Sequence, residues 1–503
     1  MTTDATAPVA DKQEPQPPRP SKSRRTFLGW PRWFITLFGT DMWERFSFYG
    51  MAALLFLYAS EPKADGGLGL GNSTAAALFG VYLSTVFMAS LPGGWIGDRI
   101  LGARRAVLYG GITIALGHCF MAVPTVPTFY GGLGLLAVGT GLLKPNLASM
   151  LAAFYPRDAH AERDAGFSIF YMSIQISAVV APLVTGGLGE LVNWHLGFGV
   201  AALGMAIGVL QYVRGSAHFG DVGNEPTRRA GAAERRRVLR GALVILAAVG
   251  LILGADAVAG TLKLRHVLML AGLFAIGSTI ACFTYLLRSR EVTAEERGRV
   301  KAYIWVFLAA AIFWMIFVQG GSVFSLFAKA STDRTIGDFT IPASWFQSAV
   351  PLFMIAVAPV FARLWVRLGD RVGAPAKLAC GLGFMGSSLV VMALATVAAS
   401  GGEDVSPLWL LVAYLLQACG EMSFAPVGMS VTTKVAPATF ISQMIGVFWL
   451  AAALGAGVGG QAVRFSEDNL PGPGYFLVMA GLAAVVGTAL GLASGRLRRG
   501  LGV

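Results

Sequence analysis

The chain has 503 residues, of which 55% are hydrophobic and 13% charged, and its mean hydropathy is +0.64. This composition excludes a soluble globular protein, because soluble domains carry about 25% charged residues. The formal net charge is +12 at pH 7, but no aromatic residues interleave the basic runs, so we do not expect nucleic-acid binding. The sequence therefore predicts an all-α integral membrane protein.

In chain order, the first segment is polar. Residues 1–30 are rich in Pro, Lys, Arg and Gln, which predicts a disordered cytoplasmic tail and no cleavable signal peptide. Apolar runs of about 20 residues follow, and each predicts a membrane-spanning helix. Fourteen spans are predicted, at 31–59, 74–97, 104–123, 127–154, 164–190, 195–213, 239–259, 264–288, 300–328, 342–369, 375–400, 406–433, 439–463 and 474–494.

The basic residues predict the orientation of these spans. Cytoplasmic loops of membrane proteins carry an excess of Lys and Arg. If the N-terminus is cytoplasmic, few of the 39 Lys and Arg residues fall outside. The predicted external set is Lys63, Lys263, Arg265, Lys329, Arg334 and Arg464. We therefore expect both termini in the cytoplasm, with the basic runs facing membrane lipid.

The first predicted span contains three charged residues. Residues 39–51 read GTDMWERFSFYGM and include Asp41, Glu44 and Arg45. An ionised side chain at the bilayer centre costs roughly 2.5–3.5 kcal/mol on insertion scales. Spacings of three and four residues place all three side chains on one helix face. They are expected to face one another or a wet cavity, which makes them a candidate functional site.

Two further charges lie inside predicted spans. Lys144 occurs in GTGLLKPNLAS at 139–149, and Glu421 occurs in QACGEMSFAPVG. Together with the first span, the buried set has one acid more than it has cations. One carboxyl must therefore be protonated or be compensated by a cation from a ligand. Cations in one half and an acid in the other suit a zwitterionic ligand.

A short motif repeats about half the chain apart. Gly97-Asp98-Arg99 recurs as Gly369-Asp370-Arg371, each after the second span of a six-span half. The turn resembles the signature of the major facilitator superfamily, which predicts two six-helix bundles and turn roles for Asp98, Arg99, Asp370 and Arg371. The predicted domains are a bundle at 31–213, a basic cytoplasmic linker at 214–238, a two-helix insertion at 239–290, and a bundle with a short basic tail at 291–503.

Several motifs of other protein classes are missing from the sequence. There is no Gly-x-x-x-x-Gly-Lys-Ser/Thr loop for ATP, no Gly-x-Ser-x-Gly hydrolase motif, and no paired His or Cys spacing for a metal. The sequence thus predicts a protein that is not an enzyme and needs no cofactor. We expect its energy to come from an ion gradient.

The stretch DMWERFSFYGM resembles the ExxERFxxYG motif of the proton-dependent oligopeptide transporter (POT/PTR) family. Further segments resemble that family in order, among them GLLKPN at 141–146, IPASWFQSAVPLF at 341–353 and GEMSFAPVGMSVTTKVAP at 420–437. The resemblance implies the major facilitator fold with two extra central helices, in a divergent bacterial member. It also implies proton symport of di- and tripeptides or peptide-like compounds across the bacterial cytoplasmic membrane, by a protein expected to be a monomer.

The resemblance also implies roles for individual residues. It implies proton coupling by Asp41, Glu44, Arg45 and Lys144. It implies substrate binding by Arg45, Tyr49, Tyr82, Lys144, Gln175, Trp314 and Glu421. Within that set, Arg45 and Lys144 would face the peptide carboxylate, and Glu421 would receive the peptide amino terminus. Core packing remains an alternative role for each aromatic residue.

The sequence departs from the family pattern at several positions. Asp41 replaces a glutamate, Gln175 an asparagine and Phe48 a common tyrosine. Ala52 stands where arginine is frequent, and Val318 stands where the ninth span usually carries a protonatable glutamate. Losing this cation and this acid together preserves neutrality, since losing one alone would strand a buried charge. Proton coupling could therefore differ from the family norm.

Two other functions remain open from the sequence. One is export of a drug or peptide-like metabolite by proton antiport, which the missing acid at Val318 allows. The other is a peptide sensor that does not transport, although a sensor would be expected to carry a larger cytoplasmic domain.

Overall fold

A computed structural model describes residues 29–155, 160–437, 440–465 and 471–502. Most of the predicted tail at 1–30 and the side chain of Asp370 lie outside the described part. Within it, fourteen helices have 19 residues or more, and we label them in chain order. They are α1 Arg32–Ser60, α2 Asn72–Ile96, α3 Ala103–Met121, α4 Val126–Ala153, α5 His160–Ala181, α6 Trp194–Gly215, α7 Ala232–Val258, α8 Leu264–Arg288, α9 Ala294–Phe317, α10 Ala349–Leu368, α11 Ala374–Ala398, α12 Leu408–Val435, α13 Ile441–Ala462 and α14 Pro473–Leu492.

Shorter elements extend several of these helices. A π-helical turn at Pro182–Gly186 and a helix at Gly187–Leu191 follow α5. After α9 come a 3-10 turn and another short helix, and then a two-stranded antiparallel hairpin in which Thr335 pairs with Thr340. The remaining short elements are the 3-10 turn Val318–Gly321, the helix Val323–Ala330, the strands Thr335–Ile336 and Phe339–Thr340, the 3-10 helix Ala343–Ser348 and the C-terminal helix Ser494–Leu501.

Twelve helical segments in the described part are long and apolar enough to cross a membrane. The regular structure of the described residues is thus helical apart from the hairpin, with the many apolar helices of a multi-pass membrane protein. Neither α1 nor α3 is among the twelve. The sequence explains this, because α1 contains three charged residues near its middle and α3 begins with Arg104 and Arg105.

The ninth predicted span, 300–328, is broken in the structure. Helix α9 ends at Phe317, and a 3-10 turn separates it from the helix Val323–Ala330. The break falls at Gly320 and Gly321, where glycine lowers helix propensity. The carbonyl of Gly320 accepts a hydrogen bond from the Tyr414 hydroxyl at 3.1 Å, which satisfies a backbone group that the broken helix leaves free.

Helix packing divides the bundle into two groups. In the first, α3 packs on α4 and α6, while α1 packs on α5 and α6. In the second, α11 packs on α12 and α14, while α9 packs on α13. Helices α2 and α13 join the groups, and they approach closely because Gly80 and Gly460 meet there: a Cβ on Gly80 would lie 2.9 Å from the Cα of Gly460.

The two predicted insertion helices differ in their packing. Helix α8 contacts α2 and α13, so it lies against the junction of the two groups. No residue of α7 is buried, so α7 lies on the outside of the bundle. We call the end of the bundle near Ser60, where α1 ends, the distal end, and the opposite end the proximal end.

Candidate functional site

The charged face of α1 is buried, as the sequence predicts. Asp41 is 2% exposed and Glu44 is fully buried. The Nε atom of Arg45 lies 3.5 Å from Oδ1 of Asp41 and 3.6 Å from Oε2 of Glu44. The three side chains compensate one another's charge, which is the arrangement that makes burial of ionised groups tolerable.

Lys144 joins this group from α4. Its Nζ lies 3.6 Å from Oε1 of Glu44 and 3.8 Å from the centroid of the Phe48 ring. The ring face favours the cation. Glu44 is therefore held between two cations, Arg45 and Lys144, while both of its carboxylate oxygens lack a hydrogen-bond donor among the described residues. We call Asp41, Glu44, Arg45 and Lys144 the charge network.

Helix α5 adds a polar contact to the charge network. The Oγ of Ser173 lies 2.6 Å from Oδ2 of Asp41 and 2.6 Å from the carbonyl oxygen of Phe170. Since a hydroxyl has one proton, Ser173 donates to only one of these oxygens at a time. When Asp41 is ionised, Ser173 can donate to it. When Asp41 is protonated, Asp41 can donate to Ser173, which then donates to Phe170. This geometry accommodates both protonation states.

Glu421 lies on α12, in the other group of helices, and is partly buried. It forms no ion pair within 4 Å in the part of the chain that the structure describes. Tyr49 of α1 and Tyr171 of α5 lie within electrostatic range of both Glu421 and Arg45. Gln175 lies one helical turn after Tyr171 on α5 and is partly buried. The two tyrosines thus interact electrostatically with charged residues of both helix groups.

Two predicted aromatic residues are buried near the same region. Tyr82 of α2 is 5% exposed and lies within electrostatic range of Glu44. Trp314 of α9 is 7% exposed, and its indole Nε1 has no hydrogen-bond partner among the described residues. Its ring lies 6.2 Å from that of Trp449, which stacks on Phe87 of α2 at 5.7 Å. This aromatic row crosses from one helix group to the other.

The repeated turn has different surroundings in its two copies. Asp98 is exposed, whereas the carbonyl of Arg99 accepts a hydrogen bond from the amide of Ala230 at 3.0 Å, and its guanidinium lies 3.9 Å from Glu234. The segment before α7 thus covers the first copy. In the second copy Arg371 is exposed. No group of His, Cys, Asp or Glu in the described residues is arranged to hold a metal.

Contacts at the distal end join the two helix groups. Glu61, just after α1, forms an ion pair with Lys329. The carboxylate of Glu190 accepts hydrogen bonds from the amides of Ala343 at 2.9 Å and Ser344 at 2.8 Å. Trp345 donates to the carbonyl of Leu183 at 3.0 Å. These contacts close the distal end.

Comparison with known proteins shows the family. The sequence profile described as "POT family" matches residues 104–472. The chain is 37% identical to the "Uncharacterized transporter YclF" of Bacillus subtilis, covering 96% of this chain and 97% of that protein. It is 36% identical to a "Di-/tripeptide transporter" of Lactococcus lactis subsp. cremoris, covering 88% and 90% respectively. The chain belongs to the POT family.

Solved structures agree with this assignment. The crystal structure of a peptide transporter POT in complex with sulfate superimposes with a TM-score of 0.90 at 39% identity, covering 95% of this chain and 97% of that one. A POT family transporter in complex with 5-aminolevulinic acid gives a TM-score of 0.88 at 31% identity, covering 94% and 98%. The resemblance stated from the sequence is thus confirmed, and this POT family member shares the fold of its structural relatives.

The two departures, Ala52 and Val318, lie in two elements of this POT family member that contact each other. The 3-10 turn Val318–Gly321 contacts α1, and Ala52 of α1 is 8% exposed. Val318 is partly buried. A charge placed alone at either position would therefore lie against apolar side chains.

Sequence reasoning missed Ser173 and the distal contacts. Ser173 and Ser177 are four residues apart, which places both on one face of α5, and Ser177 donates to the carbonyl of Met42 on α1 at 2.7 Å. That spacing was the available signal for contact with α1. Glu61 and Lys329 lie at the ends of predicted spans, where charged residues usually meet water.

Proposed function

We propose that this POT family member imports di- and tripeptides, or peptide-like compounds, in symport with protons. The observation that carries the proposal is the charge network of α1 and α4, together with a separate acid, Glu421, on α12 of the other helix group. The names of the relatives support the substrate class, because they include a di-/tripeptide transporter and a "Peptide transporter YePEPT" of Yersinia enterocolitica. The charge pattern fits a zwitterion, with cations at one end of the site and a carboxylate at the other.

In this proposal the peptide carboxylate binds Arg45 and Lys144, and the peptide ammonium binds Glu421. The residues that line the space between these ends are Tyr49, Tyr82, Gln175 and Trp314. Tyr49 lies in electrostatic range of both ends, which supports a place beside the peptide backbone. The unpartnered indole N–H of Trp314 is available to a polar group of the substrate.

Proton coupling is proposed to reside in the charge network. The Nζ of Lys144 lies 3.6 Å from Oε1 of Glu44. If Lys144 turns to a substrate carboxylate, Glu44 loses one of its two cations. A proton on Glu44 or Asp41 then restores neutrality in the buried site. The Ser173 hydroxyl supports this role for Asp41, because it can accept from the protonated acid and donate to the ionised one.

The architecture supports transport by alternating access in the major facilitator fold. We propose fourteen membrane helices, with bundles at 31–213 and 291–503, the linker at 214–238 and the inserted pair at 239–290. The excess of Lys and Arg at the proximal end supports cytoplasmic termini in a bacterial cytoplasmic membrane. The closed distal end would then be the outer end. We propose that the protein acts as a monomer that needs no cofactor besides the proton gradient.

One alternative has specific support. Val318 and Ala52 replace a charged pair that is frequent in the family, which could permit proton antiport and export of a peptide-like compound. The direction of net movement under a pH gradient separates the two functions. Symport moves substrate in the same direction as protons, and antiport moves it in the opposite direction.

The substrate class is tested by counterflow in proteoliposomes of the full chain. Liposomes loaded with unlabelled dialanine should take up labelled dialanine. N-acetylated dialanine and dialanine amide should compete at least tenfold more weakly, because loss of a partner for a buried charge costs about 2–5 kcal/mol. Dialanine that neither exchanges nor competes would contradict the proposed substrate class, and equal competition by the three compounds would contradict the zwitterion site.

A further inference from the structure

A groove between α1 and α6 opens at the proximal end of the bundle. It has a volume of about 510 Å³, within the range of small-molecule sites. The lining residues are Arg32, Ile35, Thr36, Ile207, Leu210, Gln211, Arg214, Gly215 and His218. None of these nine described residues is acidic. The groove lies away from the charge network and has no role in the transport proposed above.

The floor of the groove is sealed by close packing of the two helices. A Cβ on Gly215 would meet the side chain of Thr36, and a Cβ on Gly39 would meet the side chain of Gln211. The Nε2 of Gln211 also donates to the carbonyl of Ile35 at 3.4 Å. The groove is therefore a dead end on the surface of the bundle, and it gives no passage to the interior.

The mouth of the groove combines basic and apolar side chains. The Nη1 of Arg32 lies 3.4 Å from Nε2 of His218, so these two groups converge across the mouth, and Arg214 lies on the same wall as His218. Leu210 and Ile207, one and two turns before Arg214 in α6, are 48% and 41% exposed. The segment Trp194–His218 is long and apolar enough to span a membrane, so its basic end lies where lipid headgroups lie and its apolar part lies beside acyl chains.

We propose that this groove binds one anionic phospholipid. Its phosphodiester lies among Arg32, Arg214 and His218, and an acyl chain lies along Ile207 and Leu210. Charge complementarity supports an anion, because the two guanidinium groups of Arg32 and Arg214 line the groove with no acidic side chain among the lining residues. His218 orients Arg32, since its Nε2 accepts from Nη1 of Arg32 while its Nδ1 lies 3.1 Å from the carbonyl oxygen of Gly215. The adjacent apolar surface supports a lipid over a free anion, because inorganic phosphate would leave Ile207 and Leu210 uncovered. Basic pockets between membrane helices are known to recognise lipid headgroups. Under the orientation proposed above, the lipid belongs to the cytoplasmic leaflet.

The lipid would join α1 to α6 at their proximal ends. Arg32 is the first residue of α1, and His218 ends the short 3-10 turn that follows α6. A phosphodiester held by both would connect the start of the first helix to the segment leading to α7. At the distal end the same two helices are held by a protein contact, since the ring of Tyr58 of α1 lies 6.1 Å from that of Trp194 of α6. The lipid would therefore be a second connection, made by the membrane itself.

The test is binding of phosphatidylglycerol to the full-length purified protein, measured by native mass spectrometry. The wild-type protein should retain one phosphatidylglycerol in preference to phosphatidylcholine, and Arg32→Gln with Arg214→Gln should weaken that binding at least tenfold. The control variant, Arg235→Gln with Arg236→Gln, removes the same amount of charge near the start of α7, outside the groove. It should leave phosphatidylglycerol binding unchanged. Arg32→Lys with Arg214→Lys should retain most of the binding.

Three outcomes would overturn the proposal. The first is unchanged binding in the Arg32 and Arg214 double variant. The second is an equal loss in the Arg235 and Arg236 control, which would show only general attraction to basic residues. The third is that millimolar inorganic phosphate displaces phosphatidylglycerol and binds the wild-type protein equally well, which would show a site for a free anion. Dialanine counterflow in phosphatidylcholine liposomes checks that each variant is folded.

Discussion

Lys144 of α4 lies 3.6 Å from Glu44 of α1, and this ion pair connects two helices inside one bundle. Both side chains are largely buried, with 14% of Lys144 and none of Glu44 exposed. A substrate carboxylate that recruits Lys144 must therefore compete with Glu44. The competition links substrate binding to the charge of the acid, which is the step that proton coupling needs.

Replacing Glu44 should separate coupling from exchange. Glu44→Gln removes the acid that Lys144 neutralises, so no proton is needed when the substrate binds. We expect uptake driven by a pH gradient to fall to the level of equilibration, while dialanine counterflow stays measurable. Asp41→Asn should have a milder effect, since Glu44 remains to pair with Lys144. Full proton-driven accumulation by the Glu44→Gln protein would place the coupling site elsewhere, with Glu421 the next candidate.

Ser173 should tune this coupling through Asp41. Ser173→Ala removes the group that can both donate to and accept from Asp41, and a hydrogen bond to a charged group contributes about 1.5–3 kcal/mol. We expect the proton concentration that gives half-maximal uptake to change several-fold. Counterflow measured at one fixed pH should be retained. Ser177→Ala is the matched control on the same face of α5, because Ser177 bonds a backbone carbonyl. Identical pH profiles for the Ser173→Ala and wild-type proteins would rule out the role.

The residues of the site that could be predicted from the sequence are those whose side chains are energetically unfavourable inside an apolar span. Asp41 and Glu44 are conspicuous because ionised groups in an apolar span need partners. Ser173 could not be identified in this way, because serine commonly forms a hydrogen bond to the backbone of its own helix. In this structure its hydroxyl also lies close to the carbonyl of Phe170, in the same helix. Its second contact depends on the packing of α5 against α1, which one sequence does not specify.

The helices of the fold could also be predicted from the sequence, whereas the break in the ninth span and the distal contacts could not. Long apolar runs predict helices well, because hydrocarbon requires internal hydrogen bonding of the backbone. The break after Phe317 is harder to predict, since the run stays apolar through the glycines and continues to Ala330. The contacts of Glu61 and Glu190 are harder still, because they join residues far apart in the chain at positions that resemble ordinary loop ends.

The ion pair of Glu61 and Lys329 should stabilise the closed distal end. Glu61→Gln or Lys329→Gln leaves the other charge without its partner, so the population with an open distal end should increase. The swap Glu61→Lys with Lys329→Glu should restore part of the closed population. Partial exposure limits the expected effect to about 1 kcal/mol, or several-fold in population.

This can be measured as a distance between spin labels on the two helix groups. Ala64→Cys and Glu403→Cys provide exposed distal positions for the labels, in a background without the four native cysteines. The single variants should broaden the distribution toward longer distances, and the swap should narrow it. Unchanged distributions in both single variants would mean that the ion pair does not hold the end closed.

The Ala52 and Val318 positions should behave as a coupled pair. Val318→Glu alone places an unpaired acid against the apolar core and should impair counterflow, whereas addition of Ala52→Arg should recover part of the loss. The two changes form a double-mutant cycle, which measures their interaction. If the loss of counterflow in the double variant equals the sum of the losses in the two single variants, the two positions do not interact.

The most direct test of proton-coupled peptide import is uptake of labelled dialanine by proteoliposomes under an imposed pH gradient. With an acidic exterior, the internal concentration should rise above the external concentration, and a protonophore should abolish the excess. Without a gradient, uptake should stop at equal concentrations. Accumulation only with an alkaline exterior, or uptake that ignores the gradient, would contradict the account.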